Sequence, residues 1–200
     1  MAKTKTPGYK RTALVRDAEF RATRAEDGNL YIEGYFAVFG SEYRMYENAI
    51  ETIDEDAFDD TLGGDIRALV NHDSTLVLGR TTAGTLDLRV DKVGLWGRIT
   101  INQADSDAMN LYERVRRRDV TQCSFGFDII DQSTEVLENG TTVWKLRRVK
   151  LYEVSVVTFP AYEDTSVQAR AADYAQIGER KKEQWRAAML ARLKGAKNES

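Results

Sequence analysis

The 200-residue sequence predicts an α+β protein, mostly antiparallel β: a curled sheet or small β-barrel with surrounding helices. Two observations carry this. Segment after segment shows the period-2 alternation of strands, separated by turn signals such as Asp91-Lys92-Val93-Gly94 and Asn139-Gly140. Helical patterns are confined to residues 53–62, 105–118 and the stretch after Ser166. The length suits one domain with a sizeable core. We divide the chain into a flexible segment (1–12), a folded domain (13–167) and a charged helical tail (168–200).

In chain order, residues 1–12 are polar and basic and are expected to be loose. A weak alternation over residues 16–26 suggests a first strand, and residues 30–39 a stronger one, with Gly34 marking a bend or bulge. Residues 53–62 resemble a short helix capped by Asp54 and stopped by Gly63-Gly64. Its acids lack the glycine and ligand spacing of a calcium loop. Residues 66–70 form a short strand that delivers Asn71-His72-Asp73 at its end, and the turn-rich residues 79–84 follow. Residues 85–90 and 94–101 make a hairpin. The 105–118 helix carries Ala108, Leu111, Tyr112 and Val115 on one stripe and arginines near its C-terminal end. Residues 122–130 are a strand, 134–138 and 142–149 a hairpin, and 151–159 the last strand before Pro160. In the tail, Ile177, Lys181, Trp185, Ala188, Met189 and Leu193 allow one apolar stripe on a charged helix.

Net charge is only -3, but unevenly spread. Residues 25–169 hold 14 basic and 26 acidic groups, leaving both ends basic. No nucleic-acid motif accompanies the basic ends, so no specific nucleic-acid partner is expected. No apolar run approaches the roughly 20 residues that cross a bilayer. Met1-Ala2-Lys3-Thr4-Lys5 lacks the apolar core of a secretion signal, so a cytosolic protein is expected. One histidine, His72, rules out multi-histidine zinc sites, and no cofactor or metal is expected.

The candidate chemistry centres on residues 122–130. Cys123, Phe125, Phe127 and Ile129 share an apolar face; Ser124, Gly126 and Asp128 share the other. Gly126 leaves space beside the Ser124 hydroxyl for a substrate carbonyl. A serine becomes a nucleophile when a base takes its proton, and His72 at a strand end is the candidate base. In the last strand Glu153 and Ser155 lie opposite Tyr152, Val154 and Val156. A carboxylate there is costly unless exposed or paired, and Glu153 is a candidate to orient His72. Asp73 and Asp128 are alternative orienters. Cys123 competes as nucleophile, but it points away from the Ser124 face and reads as core.

Asn71-His72-Asp73, then Ser124-Phe125-Gly126-Phe127, then residues 151–157 (Leu-Tyr-Glu-Val-Ser-Val-Val) with Pro160-Ala161 resemble the signatures of HK97-type tailed-phage prohead (capsid maturation) serine proteases. The resemblance covers roughly residues 20–167. It implies a fold related to the herpesvirus assembly proteases, a curled β-barrel surrounded by helices. It matches His72 to the general base, Ser124 to the nucleophile and Glu153 to the third member. The herpesvirus enzymes place a second histidine third; this chain has none, so a triad needs an acid there. The family implies action in the host cytoplasm inside the immature head, on scaffold and the capsid protein's delta domain. Self-cleavage would leave the protease absent or fragmented in the mature virion. The related fold implies a homo-oligomer, in the simplest form a dimer, and backbone N–H groups after Pro160 are candidates for the oxyanion hole. The rival classes are a non-catalytic internal scaffold or head-assembly binding module, and a cysteine hydrolase using Cys123.

Overall fold

The computed structural model describes residues 9–13, 20–46, 48–159, 183 and 186. The chain forms two compact units, residues 1–161 and 162–200. The first unit holds eleven strands and one α-helix among its described residues: β1 (Tyr9–Ala13), β2 (Arg21–Arg24), β3 (Leu30–Val38), β4 (Tyr43–Tyr46), β5 (Ala49–Ile53), β6 (Arg67–Val70), β7 (Asp73–Arg80), β8 (Leu86–Val90), β9 (Gly94–Thr100), α1 (Ser106–Arg116), β10 (Gln122–Val136) and β11 (Thr142–Val157). In the second unit, Glu183 and Arg186 are helical and exposed; the rest of the predicted tail, including its apolar stripe, lies outside the described residues.

The long β10–β11 hairpin is the spine of the larger, seven-stranded sheet. Its turn follows from Asn139-Gly140: Gly140 takes φ 83°, and the Asn139 side chain accepts the Thr141 N–H at 2.9 Å. What the alternation suggested as separate strands and a separate hairpin are two continuous strands, bent by register shifts beside Gly126 and near Asp131. β1 pairs with the outer edge of β10, placing Thr12 opposite Ser124. Residues 9–12, at the end of the stretch expected to be loose, are therefore part of a paired strand with Ala13.

The inner edge of β11 takes two parallel partners in succession. β5 lies beside Thr142–Leu146 and β6 beside Glu153–Val156. Residues 54–66 bridge the gap between them as successive i→i+3 turns rather than the predicted helix. The Asp54 side chain accepts the N–H of the adjacent Glu55 rather than one two or three residues on, so it does not cap. The bonds a helix would have kept internal go instead to β11: Val149 N–H to Ala57 O at 3.0 Å and Leu151 N–H to the Thr61 hydroxyl at 2.8 Å. The same loop buries Phe58 edge-on against Phe125, with ring centroids 5.7 Å apart, and Phe125 stacks on Phe127.

The second sheet is antiparallel, in the order β2-β3-β9-β8. The expected hairpin joins β8 to β9, and the Asp91 carboxylate accepts the Val93 and Gly94 N–H groups across its turn. The β3–β9 register shifts between Tyr35 and Ala37, close to the irregularity expected at Gly34. Helix α1 matches its predicted stripe, with Ala108, Leu111, Tyr112 and Val115 buried and Asp105 capping the Asp107 and Ala108 N–H groups.

The fold is thus mostly β, in one mixed and one antiparallel sheet with little helix. The described residues do not show the expected barrel or its surrounding helices: they give two sheets with the strand orders above, and α1 is their one regular α-helix beyond the isolated tail residues. β7, unforeseen, pairs with β6. We expect Phe125→Ala to cost about 3–5 kcal/mol in urea denaturation, as deletion of a buried ring does; a loss below about 1 kcal/mol would mean the Phe58–Phe125–Phe127 stack is not the core.

Candidate active site

The site is built where the β6–β7 hairpin turns over β11. Val70 pairs with Asp73, so the turn has two residues, Asn71 and His72, with φ 49° and 62°. Positive φ at both central residues is the requirement of the type I′ hairpin turn, which asparagine tolerates and histidine adopts less readily. Three hydrogen bonds hold the turn to β11 and the residue after it. Asn71 N–H donates to Val156 O at 2.9 Å, His72 N–H to the Ser155 hydroxyl at 3.2 Å, and Thr158 N–H to the Asn71 side-chain oxygen at 2.9 Å.

Held in this way, the imidazole meets Glu153: His72 Nδ1 lies 2.6 Å from Glu153 Oε1, with side chains 7% and 11% exposed. The second carboxylate oxygen, Oε2, accepts the Ser155 hydroxyl at 2.6 Å. A buried carboxylate is costly without donors, and these two short bonds supply one for each oxygen. An ionised carboxylate can only accept, so Nδ1 carries the ring proton and a neutral ring keeps its lone pair on Nε2. Nε2 is buried and has no hydrogen-bond partner among the described residues.

Ser124 lies one strand away, opposite Ser155 in the β10–β11 register, and is completely buried. Gly126, two residues on, is opposite Glu153. The space beside it is not an opening for substrate, as the sequence suggested, but the place where the Glu153 side chain lies. A Cβ on Gly126 would come within 3.0 Å of Glu153 Cγ and Cδ. Ser124 and Gly126 share a strand face, so Ser124 is on the side of the sheet that carries Glu153. The structure brings His72 and Glu153 together and sets Ser124 on the adjoining strand; no hydrogen bond joins Ser124 to Nε2.

The alternatives are engaged elsewhere. Asp73 Oδ1 accepts the Thr75 N–H and hydroxyl, which hold its carboxyl below the usual range, and Asp128 accepts the Tyr152 hydroxyl at 2.7 Å. Cys123 is buried, with its thiol against Tyr35 O, and burial pushes it up to about 12. That leaves it almost wholly protonated near neutrality, unlike a cysteine nucleophile. The sequence alone assigns Ser155 no role. Its signal was present: a small hydroxyl two residues from a lone acid, on the same strand face. The oxyanion-hole candidates after Pro160 lie outside the described residues.

With this geometry established, the comparison with known families is decisive. The model of the caudovirus prohead serine protease family matches residues 16–180. The chain belongs to that family. It is a serine protease of capsid maturation, as its sequence motifs suggested. Among solved structures it is similar to the bacteriophage T4 capsid assembly protease, at 14% identity and a TM-score of 0.46, over 76% of this chain and 98% of that one. None of the curated proteins matches.

Two results are expected from the prohead protease. Gly126→Ala should displace the Glu153 carboxylate, costing about 1–3 kcal/mol of stability and lowering proteolysis; an unchanged turnover would show that the close approach of Glu153 to Gly126 is dispensable. The native Cys123 thiol should resist alkylation at pH 8 and react once unfolded. Because its folded value lies above the ordinary 9.0, its contribution to stability is present below about pH 9 and is lost as pH rises toward 12. Rapid alkylation of the native protein would contradict its burial.

Proposed function

We propose that Ser124, His72 and Glu153 are the nucleophile, general base and orienting acid of this prohead protease. The observation carrying the reading is the buried 2.6 Å contact of His72 Nδ1 with Glu153 Oε1, which leaves the Nε2 lone pair without a partner. As Ser124 Oγ attacks the scissile carbonyl carbon, Nε2 takes the hydroxyl proton and Glu153 stabilises the imidazolium. The tetrahedral intermediate collapses, the C–N bond breaks, and His72 returns the proton to the leaving amine. Water then attacks the acyl-serine ester; His72 accepts its proton and passes it to Ser124 as the acid product leaves. Since Ser124 is fully buried and Nε2 has no partner, the hydroxyl must become accessible and turn to Nε2 before the first step.

The substrates we assign are scaffold, the capsid protein's delta domain and the protease itself, cleaved inside the immature head in the host cytoplasm. The family membership of the chain supports this, and the motifs of residues 71–73, 124–127 and 151–157 support the residue roles. A homo-oligomer, in the simplest form a dimer, is part of the same reading.

The test is co-expression with the capsid protein and mass spectrometry of the products. Ser124→Ala and His72→Ala should each abolish processing, and Glu153→Gln should slow it by about 10⁴-fold, as loss of an orienting carboxylate does. Normal processing by the Ser124 or His72 variant would defeat the triad and favour a non-catalytic assembly role.

A further inference from the structure

We infer that Ser155 is a positioning residue that locks the imidazole–carboxylate pair from both ends. The inference rests on the triad reading above and extends it to a residue that reading does not use. Ser155 is completely buried on β11, with Ser124 opposite on β10 and Leu69 of β6 on the other side. Its hydroxyl has one proton, which it donates to Glu153 Oε2 at 2.6 Å. Its lone pairs are left to accept, and one accepts the His72 backbone N–H at 3.2 Å.

These contacts close a circuit. His72 Nδ1 binds Glu153 Oε1, Glu153 Oε2 binds the Ser155 hydroxyl, and the hydroxyl binds the His72 main chain. Rotating the carboxylate would break its bonds to both His72 and Ser155, and shifting the turn would break the N–H bond. The circuit also anchors a histidine held at φ 62°, a backbone state that needs outside support in a non-glycine residue. With its proton committed to Glu153, Ser155 is not poised as a second nucleophile. It acts through His72 and Glu153 rather than on substrate.

The single histidine of the chain makes the inference directly measurable, since histidine-labelled protein shows one imidazole by NMR. The wild-type Nδ1 proton, in a short bond to a carboxylate, should give a slowly exchanging downfield signal. Ser155→Ala should lose or strongly shift that signal. It should also slow labelling of Ser124 by a fluorophosphonate about 10- to 100-fold, the effect of losing one hydrogen bond to a charged group. Thr61→Ala is the structural control. It removes the acceptor of the Leu151 N–H on the same strand, without touching the pair. It should lose stability yet keep the Nδ1 signal. Retention of the wild-type signal in Ser155→Ala, or its equal loss in Thr61→Ala, would overturn the positioning role. Absence of Ser124 labelling in wild type alongside the expected NMR pattern would instead refute the nucleophile assignment and uphold the role of Ser155.

Discussion

A carboxylate inside a sheet core must be supplied with donors, and the organisation of this site follows from that requirement. Glu153 is buried within β11, where an unpaired charge would be severely destabilising. The chain meets the cost with the imidazole of His72 and the hydroxyl of Ser155, one for each oxygen. Space for the carboxylate comes from the missing side chain at Gly126. The serine strand, the last strand and the β6–β7 turn are thereby fixed against one another by one acidic group.

The turn that carries His72 runs against backbone preference. Two consecutive non-glycine residues at positive φ cost about 1–3 kcal/mol each, and the three hydrogen bonds from Asn71, His72 and Thr158 offset this. Strain placed at a site whose surroundings over-determine it marks preorganisation: the imidazole is oriented before any substrate arrives. Among the described residues, His72 Nε2 is left as the one unsatisfied side-chain atom of the pair. A buried ring nitrogen without a partner is costly in a resting protein and is suited to a base that receives a proton during reaction.

Local pattern made much of this legible. Alternation placed Ser124 and Gly126 on one face, set Glu153 and Ser155 together, and put His72 at a strand end, because each rests on neighbours within a few residues. Long-range register was not legible. The opposition of Gly126 to Glu153 depends on how β10 and β11 align through their bulges, so a space that looked open to substrate is filled by the acid. Residues 53–62 look helical in sequence for a related reason. Their acids and glycines look like caps, but β11 offers unpaired N–H groups between β5 and β6, and bonding these outweighs the local preference. β1 was missed because a short polar, basic segment gives no sign of pairing until the edge of β10 is available to it.

The family membership establishes the class of reaction, and in the proposed triad the buried pair supplies its base. The most direct test is a crystal structure of the protein after reaction with a phosphonate inhibitor. The account predicts phosphorus bonded to Ser124 Oγ, with His72 Nε2 about 2.6–3.2 Å from that oxygen and Nδ1 still on Glu153. An adduct on another residue, or a Ser124 adduct with the imidazole turned away or beyond reach, would contradict it.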